Sequence, residues 1–374
     1  MAERIRLLFW ADSFWPFIGG METWAARFVV ALRDRGFEIT VVTSHTGLPL
    51  PDRDIFHDIP VHRFPLWSAL KDQNPRAIMK ARRAVERLRG ETAPDCIHLN
   101  SCGPTTVFHL WTRHVAPAPT LFTLHGAWPD AYALPGSLLA RALEGSEKIV
   151  TVSRATRDWI LGFVPHLSEK MQLIYPAIDP LPDAAAVREP VLLCAGRLSR
   201  EKGVDLAIRA FARIHDRFPR ARLVIAGDGT EREALSRLAE KLDAAGAVDF
   251  VGWVNPRDIP SLMHRSAIVL VPSRQEGFGL TALEAAHAGR PVVGFTVGGL
   301  PEVVADNQTG LLAPPEDEEG LADRIAFLLE HPDIGRNLGE AARARARRLF
   351  TWKTHMDRYE NELRKLSGSV KRCA

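Results

Sequence analysis

Val269-Leu270-Val271-Pro272-Ser273-Arg274-Gln275-Glu276-Gly277-Phe278-Gly279-Leu280-Thr281-Ala282-Leu283-Glu284 is the stretch that decides how this chain reads. An apolar run from Ile268 to Val271 stops at Pro272-Ser273, as a buried strand stops. The glycine-rich loop Glu276-Gly277-Phe278-Gly279 follows. Helix formers then run from Leu280 to Ala288, and Gly289 closes them. Strand, glycine loop and helix start, in that order, present unpaired N–H groups and the positive end of a helix dipole. Both favour an anion such as a phosphate. Two carboxylates, Glu276 in the loop and Glu284 in the helix, are surplus to an anion site. They suit a ligand with a phosphate core and hydroxyl groups at both ends, and a nucleotide sugar is such a molecule.

Outward from this stretch, two halves repeat one plan. The first opens with a strand from Ile5 to Trp10, a loop containing Pro16, Gly19 and Gly20, a helix over about Glu22 to Arg35 closed by Gly36, and a strand from Glu38 to Thr43. The second opens with a strand from Val191 to Ala195 and a loop from Gly196-Arg197 to Lys202-Gly203. A helix from Val204 to Phe218 stops at Pro219, and a strand from Arg222 to Ala226 is turned by Gly227-Asp228-Gly229. Strands alternating with helices predict parallel sheets covered on both faces. Neither half carries G-x-G-x-x-G, so the dinucleotide fingerprint is absent. Tyr175 to Pro190 holds four prolines and little periodicity, which marks a linker. The expected organisation is α/β: two Rossmann-like, doubly wound domains, residues 1–180 and 181–350, facing across a cleft. A tail, 351–374, carries Trp352, Met356, Tyr359, Leu363 and Leu366 on one helical stripe. That stripe either crosses back to the first domain or packs on its own.

The chain has 374 residues, 46% hydrophobic and 25% charged, which suits two soluble α/β domains. A net charge of +3 argues for neither a nucleic-acid binder nor an acidic tail, and no nucleic-acid partner is expected. Cys96, Cys102, Cys194 and Cys373 show no C-x-x-C spacing and read as reduced thiols. The start has too short an apolar run for a signal peptide, and no segment has the length of a membrane span, so the expected location is cytoplasmic. From Pro75 to Gly90, Arg76, Lys80, Arg83 and Arg87 form a basic stripe opposite Ile78, Ala81, Val85 and Leu88. The favoured reading is a solvated helix face; peripheral contact with an anionic membrane is the alternative. Asp52-Arg53-Asp54 spells a D-x-D, read as a chance match in a solvated loop, so no metal is expected.

With these residues in place, the chain resembles family 4 of the retaining glycosyltransferases (glycosyl transferases group 1), which have the GT-B fold. Glu276 and Glu284 reproduce the family's E-x7-E pattern. Further matches are Gly19-Gly20-Met21-Glu22, Thr123-Leu124-His125-Gly126, Val152-Ser153, Gly196-Arg197-Leu198 with Lys202-Gly203, and Gly227-Asp228-Gly229. The resemblance implies that Arg197 and Lys202 stabilise a diphosphate leaving group, and that Glu276 binds hydroxyls of the donor sugar and Glu284 those of the ribose. Backbone N–H groups of Gly277, Phe278, Gly279, Leu280 and Thr281 would face the diphosphate, and main chain near Trp253-Val254 the base. Gly19, Gly20, Gly196 and Gly227 would let backbone approach the donor. His125 would lie by the reacting sugar. Many relatives carry His-x-His where this chain has His98-Leu99-Asn100, a departure at the second histidine.

The implied donor is a UDP- or GDP-linked sugar, and the acceptor a glycan, a lipid-linked group or a small molecule. Neither the sugar, the acceptor nor the oligomeric state follows from the residues. Two other readings stay open: a non-catalytic nucleotide-sugar-binding accessory subunit, and another enzyme on the same scaffold, such as a nucleotide-sugar epimerase or a sugar phosphorylase.

Overall fold

The computed structural model describes residues 4–17, 19–45, 47–127, 129–181 and 189–370. Residues 182–188 of the proline-rich linker, and Cys373, lie outside the described residues. The chain divides into two compact units, the first formed by 1–152, 156–174 and 353–374, the second by 153–155 and 175–352.

The first unit is built on β1 (Ile5–Ala11), β2 (Phe37–Ser44), β3 (Arg53–Phe56), β4 (Ile59–Phe64), β5 (Cys96–Leu99), β6 (Thr120–Leu124), β7 (Lys148–Thr151) and β8 (Met171–Leu173). Their spatial order is β3-β4-β2-β1-β5-β6-β7-β8. Every adjacent pair is parallel except β3 with β4. The second unit has β9 (Val191–Ala195), β10 (Arg222–Ala226), β11 (Val248–Gly252), β12 (Ile268–Val271), β13 (Val292–Phe295) and β14 (Gly310–Ala313). Their order is β11-β10-β9-β12-β13-β14, and all pairs are parallel. Both sheets are therefore doubly wound and Rossmann-like. The order reverses between β1 and β5 in one, and between β9 and β12 in the other. At such a reversal neighbouring connections leave to opposite faces, and a crevice opens at the carboxyl ends of the strands.

The sequence explains the burial. Every residue of β6, β12, β13 and β14 is buried, as strands covered on both faces require, and the β12 run is Ile-Val-Leu-Val. The helix expected over Val204 to Phe218 is α-helical only for Val204–Ile214 and finishes as a 3₁₀ turn, His215–Arg217. Pro219 disfavours the α conformation at the residue before it, so the last turn tightens. The tail forms a helix, Trp352–Val370, that clusters with the first unit. Met356, Tyr359, Leu363 and Leu366 of its stripe are buried. Tyr359 packs on Trp24, Phe28 and His98, with ring centroids 5.0–5.9 Å apart.

Two surface features take definite places. The basic helix spans Pro75–Thr92, and the side chain of Asn74 caps it by accepting from the N–H groups of Arg76 and Ala77. Its Ala81, Val85 and Leu88 are buried in the core of the first unit, while Arg76, Lys80, Arg83 and Arg87 are exposed. No helix among the described residues is long and apolar enough to cross a membrane. The D-x-D segment is not the loop expected: Arg53–Phe56 pairs with β4 as an antiparallel edge strand. The turn residues His57 and Asp58 both take positive φ, 48° and 62°, as a tight hairpin turn needs, although no Asn-Gly announces it. Asp54 accepts from the buried guanidinium of Arg63 at 3.1 Å, and Asp52 pairs with His45 at 2.8 Å.

Leu363→Ala removes a fully buried side chain from the tail helix. The expected loss is about 2–5 kcal/mol of unfolding free energy, measured by urea denaturation followed by circular dichroism. A loss near zero would show that the tail does not belong to the folded core.

Candidate functional site

In the second unit, strand pairing continues past the strands into their loops. Gly196 N–H bonds the Ala226 carbonyl at 2.9 Å, Leu198 N–H bonds Asp228 at 2.9 Å, and Gly227 N–H bonds Gly252 at 2.7 Å. The loop after β12 is tied to the loop after β9 through Arg274 N–H and the Glu201 carbonyl, 2.8 Å, and to the loop after β13 through Gly299 N–H and the Glu276 carbonyl, 3.0 Å. Two glycines make this approach feasible. Gly203 has φ 64° and Gly298 φ 49°, and a side chain at either would overlap a backbone oxygen, that of Pro272 or of Glu276.

Arg274 reinforces the arrangement. Its guanidinium makes a forked pair with Asp205, 2.7 and 2.8 Å, and also meets Glu316 and the Arg200 carbonyl. The bonds to Asp205 raise its pKa further. Sequence reasoning assigned Arg274 no role. The available signal was a cation two residues before Glu276 with an acid, Asp205, in the first turn of the preceding domain helix.

A crevice results between β9 and β12, lined among others by Gly196, Lys202, Ser273, Glu276 and Thr281. Lys202 Nζ donates to Glu276 Oε2 at 2.9 Å, and Ser273 Oγ donates to the same oxygen at 3.1 Å. Glu276 Oε1 has no hydrogen-bond partner among the described residues and can accept from a ligand hydroxyl. Cys194 also lines the crevice, but burial pushes its thiol up to about 12, so it is no nucleophile. Arg197 is exposed on the loop after β9 and makes no side-chain hydrogen bond among the described residues.

The helix Leu280–His287 starts at the crevice. Its N-cap is Gly279, φ 107°, and no side chain caps it, so the first-turn N–H groups remain for a ligand. Thr281 lines the crevice, and Glu284 follows it by three residues, on the same side of the helix. Glu284 has no hydrogen bond or ion pair among the described residues, and burial raises its pKa to about 7. A part-buried carboxylate without a donor is costly unless a ligand supplies one. Phe278 differs in kind: its ring is buried against Phe350 and Tyr175, centroids 5.4 and 5.7 Å away, leaving only its backbone for a ligand. Gly277 follows Glu276 in the same loop. Gly227 abuts Gly196, and Val254 follows the exposed Trp253 after β11.

The remaining sequence-derived residues belong to the first unit. Gly19 is the N-cap of the helix Gly20–Asp34, again with no side-chain cap. His125, just past β6, places Nε2 2.8 Å from Asn100 Oδ1. Trp24 meets the His125 ring edge-on at 5.5 Å, and its Nε1 donates to His355 Nε2 at 3.0 Å. Burial, and secondarily His355, lowers the His125 pKa to about 4, so the imidazole is neutral at physiological pH. Neither Trp24 nor His355 was visible as a site neighbour in the sequence. Among the described residues, no group of three or more His, Cys, Asp or Glu side chains could hold a metal ion.

Comparison with known proteins settles the family. Residues 18–180 match the model described as Glycosyltransferase Family 4, and residues 182–345 the model described as Glycosyl transferases group 1. A D-inositol 3-phosphate glycosyltransferase of Kribbella flavida is 31% identical over 366 residues, covering 87% of this chain and 85% of that protein. The chain belongs to glycosyltransferase family 4. A glycogen synthase of Mycobacterium tuberculosis is 38% identical over 215 residues, 56% of this chain, and the match spans only 52% of that protein. Among solved structures, a sucrose-phosphate synthase from Thermosynechococcus elongatus superposes with a TM-score of 0.84 at 23% identity, covering 98% of this chain and 100% of that one. Anabaena HepE in complex with UDP and glucose gives a TM-score of 0.79 at 23% identity, covering 97% and 100%. These likenesses give the family 4 chain its GT-B fold.

Glu284 makes a pH prediction. Its folded pKa of about 7 lies above the ordinary 4.5. Between these values the folded state keeps a proton that the unfolded chain has lost. The group therefore costs nothing below about 4.5, and its cost grows as pH rises to about 7, reaching on the order of 3 kcal/mol. Glu284→Gln is expected to stabilise the ligand-free protein at pH 8 and to leave it nearly unchanged at pH 4.5, read by urea denaturation at both pH values. An equal effect at the two would contradict the buried, unpaired carboxylate.

Proposed function

We propose that this protein is a retaining glycosyltransferase that moves a hexosyl unit from a nucleoside-diphosphate sugar to an acceptor hydroxyl. The observation that carries this reading is Glu284: an unpartnered carboxylate with its pKa lifted to about 7, in the helix whose uncapped N-terminus follows the loop of the Lys202–Glu276 pair. Two ribose hydroxyls donated to Glu284 would restore its ionised form. The first-turn N–H groups, with Lys202 and Arg197, would hold the diphosphate. Glu276 Oε1 would accept from the transferred sugar, its other oxygen being held by Lys202 and Ser273.

The chemistry follows from this charge distribution. As the glycosidic bond lengthens, negative charge grows on the departing phosphate oxygen, where Lys202, Arg197 and the helix dipole are worth most. Among the described residues that line the crevice, none is assigned as a nucleophile for the opposite face of the sugar. Same-face substitution, with the departing phosphate oxygen taking the acceptor proton, gives retention without a protein nucleophile. The positive charge comes from side chains and backbone, so we infer a metal-independent reaction. Acceptor recognition is assigned to the first unit, through the Gly19-Gly20 loop and His125.

Relatives bear on the donor and the acceptor class. A Mycolicibacterium smegmatis relative, 28% identical over 338 residues, is a GDP-mannose-dependent phosphatidylinositol monomannoside mannosyltransferase, and HepE was solved with UDP-glucose. UDP- and GDP-linked hexoses are therefore the donors to test, against polyol, glycan and lipid-linked acceptors. A cytoplasmic enzyme working at the inner membrane face fits a lipid-linked acceptor and the exposed basic stripe of the Pro75–Thr92 helix.

The test is incubation with a panel of UDP- and GDP-sugars, with and without acceptors, followed by NMR. The account predicts acceptor-dependent release of the nucleoside diphosphate and a product with the donor's anomeric configuration. Isomerised donor would indicate an epimerase, and binding without turnover an accessory subunit. Lys202→Ala is expected to lower kcat/KM by about 100-fold or more. Activity within a fewfold of wild type would remove Lys202 from the mechanism.

A further inference from the structure

Asn100 lies one residue beyond β5, at the reversal between β1 and β5, and its backbone N–H is fixed on the Trp10 carbonyl at 2.9 Å. The residue is 2% exposed. Its Oδ1 sits 2.8 Å from His125 Nε2. An amide oxygen only accepts, so the proton of this bond belongs to Nε2, and His125 Nδ1 keeps its lone pair. The ring has little freedom to turn, because Trp24 packs edge-on against it and is itself anchored to His355. The other half of the amide is unmet: Asn100 Nδ2 has two N–H donors and no acceptor among the described residues. Although the residue as a whole is nearly buried, these donors are open to an incoming oxygen, and a switch-point crevice is where a ligand supplies one.

We propose that Asn100 is a positioning and acceptor-recognising residue. Its Oδ1 holds His125 as the neutral Nε2–H tautomer, and its amide N–H groups donate to an oxygen beside the reacting hydroxyl of a sugar or polyol acceptor. The acceptor half of this inference rests on the transferase reading; the tautomer half does not. The amide has one further consequence. It does not titrate and cannot pass a proton onward, so the pair His125–Asn100 orients and polarises but does not relay.

The experiment combines two readouts on the full-length protein. Long-range ¹H–¹⁵N correlation NMR at neutral pH, with the His125 signals identified by their loss in His125→Gln, reports the tautomer. The expected wild-type spectrum has a protonated Nε2 and a bare Nδ1. Asn100→Asp keeps the accepting oxygen and loses the donors. It should preserve the Nε2–H proton and raise the acceptor KM about tenfold, the size of one hydrogen bond, while the shift in Tm produced by UDP or GDP persists. Asn100→Ala should lose the single tautomer as well. A protonated Nδ1 or an imidazolium in the wild type overturns the tautomer assignment. An unchanged acceptor KM in Asn100→Asp overturns the acceptor contact. Absence of any transfer overturns the acceptor half together with the transferase reading, while the spectrum still decides the tautomer.

Discussion

The close backbone approach of three loops, those after β9, β12 and β13, is the constraint on which the site depends. A doubly wound sheet opens a crevice wherever its order reverses. Whether that crevice holds a defined set of groups depends on how rigidly its loops are spaced. Here Gly203 meets the Pro272 oxygen and Gly298 the Glu276 oxygen, at separations no side chain would allow. The hydrogen bonds Arg274–Glu201 and Gly299–Glu276 lie between the same loops. Glu276 and Lys202 meet because their backbones are held in this way, and Arg274 locks the arrangement through Asp205. The side chains that line the crevice are placed largely by contacts between backbones.

The two acids of the opening stretch have opposite surroundings. Glu276 has a cation and a hydroxyl on one oxygen. Glu284 has neither and is held toward its neutral form by burial. One carboxylate is thus half-satisfied by protein donors, and the other has none among the described residues. A ligand bearing a diol and an anion would supply what both the helix end and Glu284 lack. The first unit repeats the theme without charge: neutral His125 faces an amide that keeps two donors in reserve.

Much of this was legible in the sequence because it rests on local signals. β12, the glycine loop and the helix start are written in consecutive residues, and the tail stripe from Met356 to Leu366 announced its burial by period alone. What was hidden depends on tertiary neighbours. Nothing in Arg274 or Asp205 individually announces a forked pair, since they are 69 residues apart. The edge strand Arg53–Phe56 escaped because its turn uses His57-Asp58 at positive φ in place of the usual glycine signal. Asn100 was visible as a departure from the family pattern, but its meaning came only when β5 and β6 brought it to His125. The linker residues 182–188 fall outside the described structure, and the reading of that segment stays with the sequence.

The central claim is that the β9–β12 crevice binds a nucleoside diphosphate in a set orientation. The most direct measurement is a crystal structure of the protein with UDP or GDP. The account predicts ribose hydroxyls on the Glu284 carboxylate and the diphosphate on the N–H groups that open the Leu280–His287 helix, with Lys202 beside it. A nucleotide bound elsewhere, or bound here with its phosphates turned away from that helix end, would contradict it.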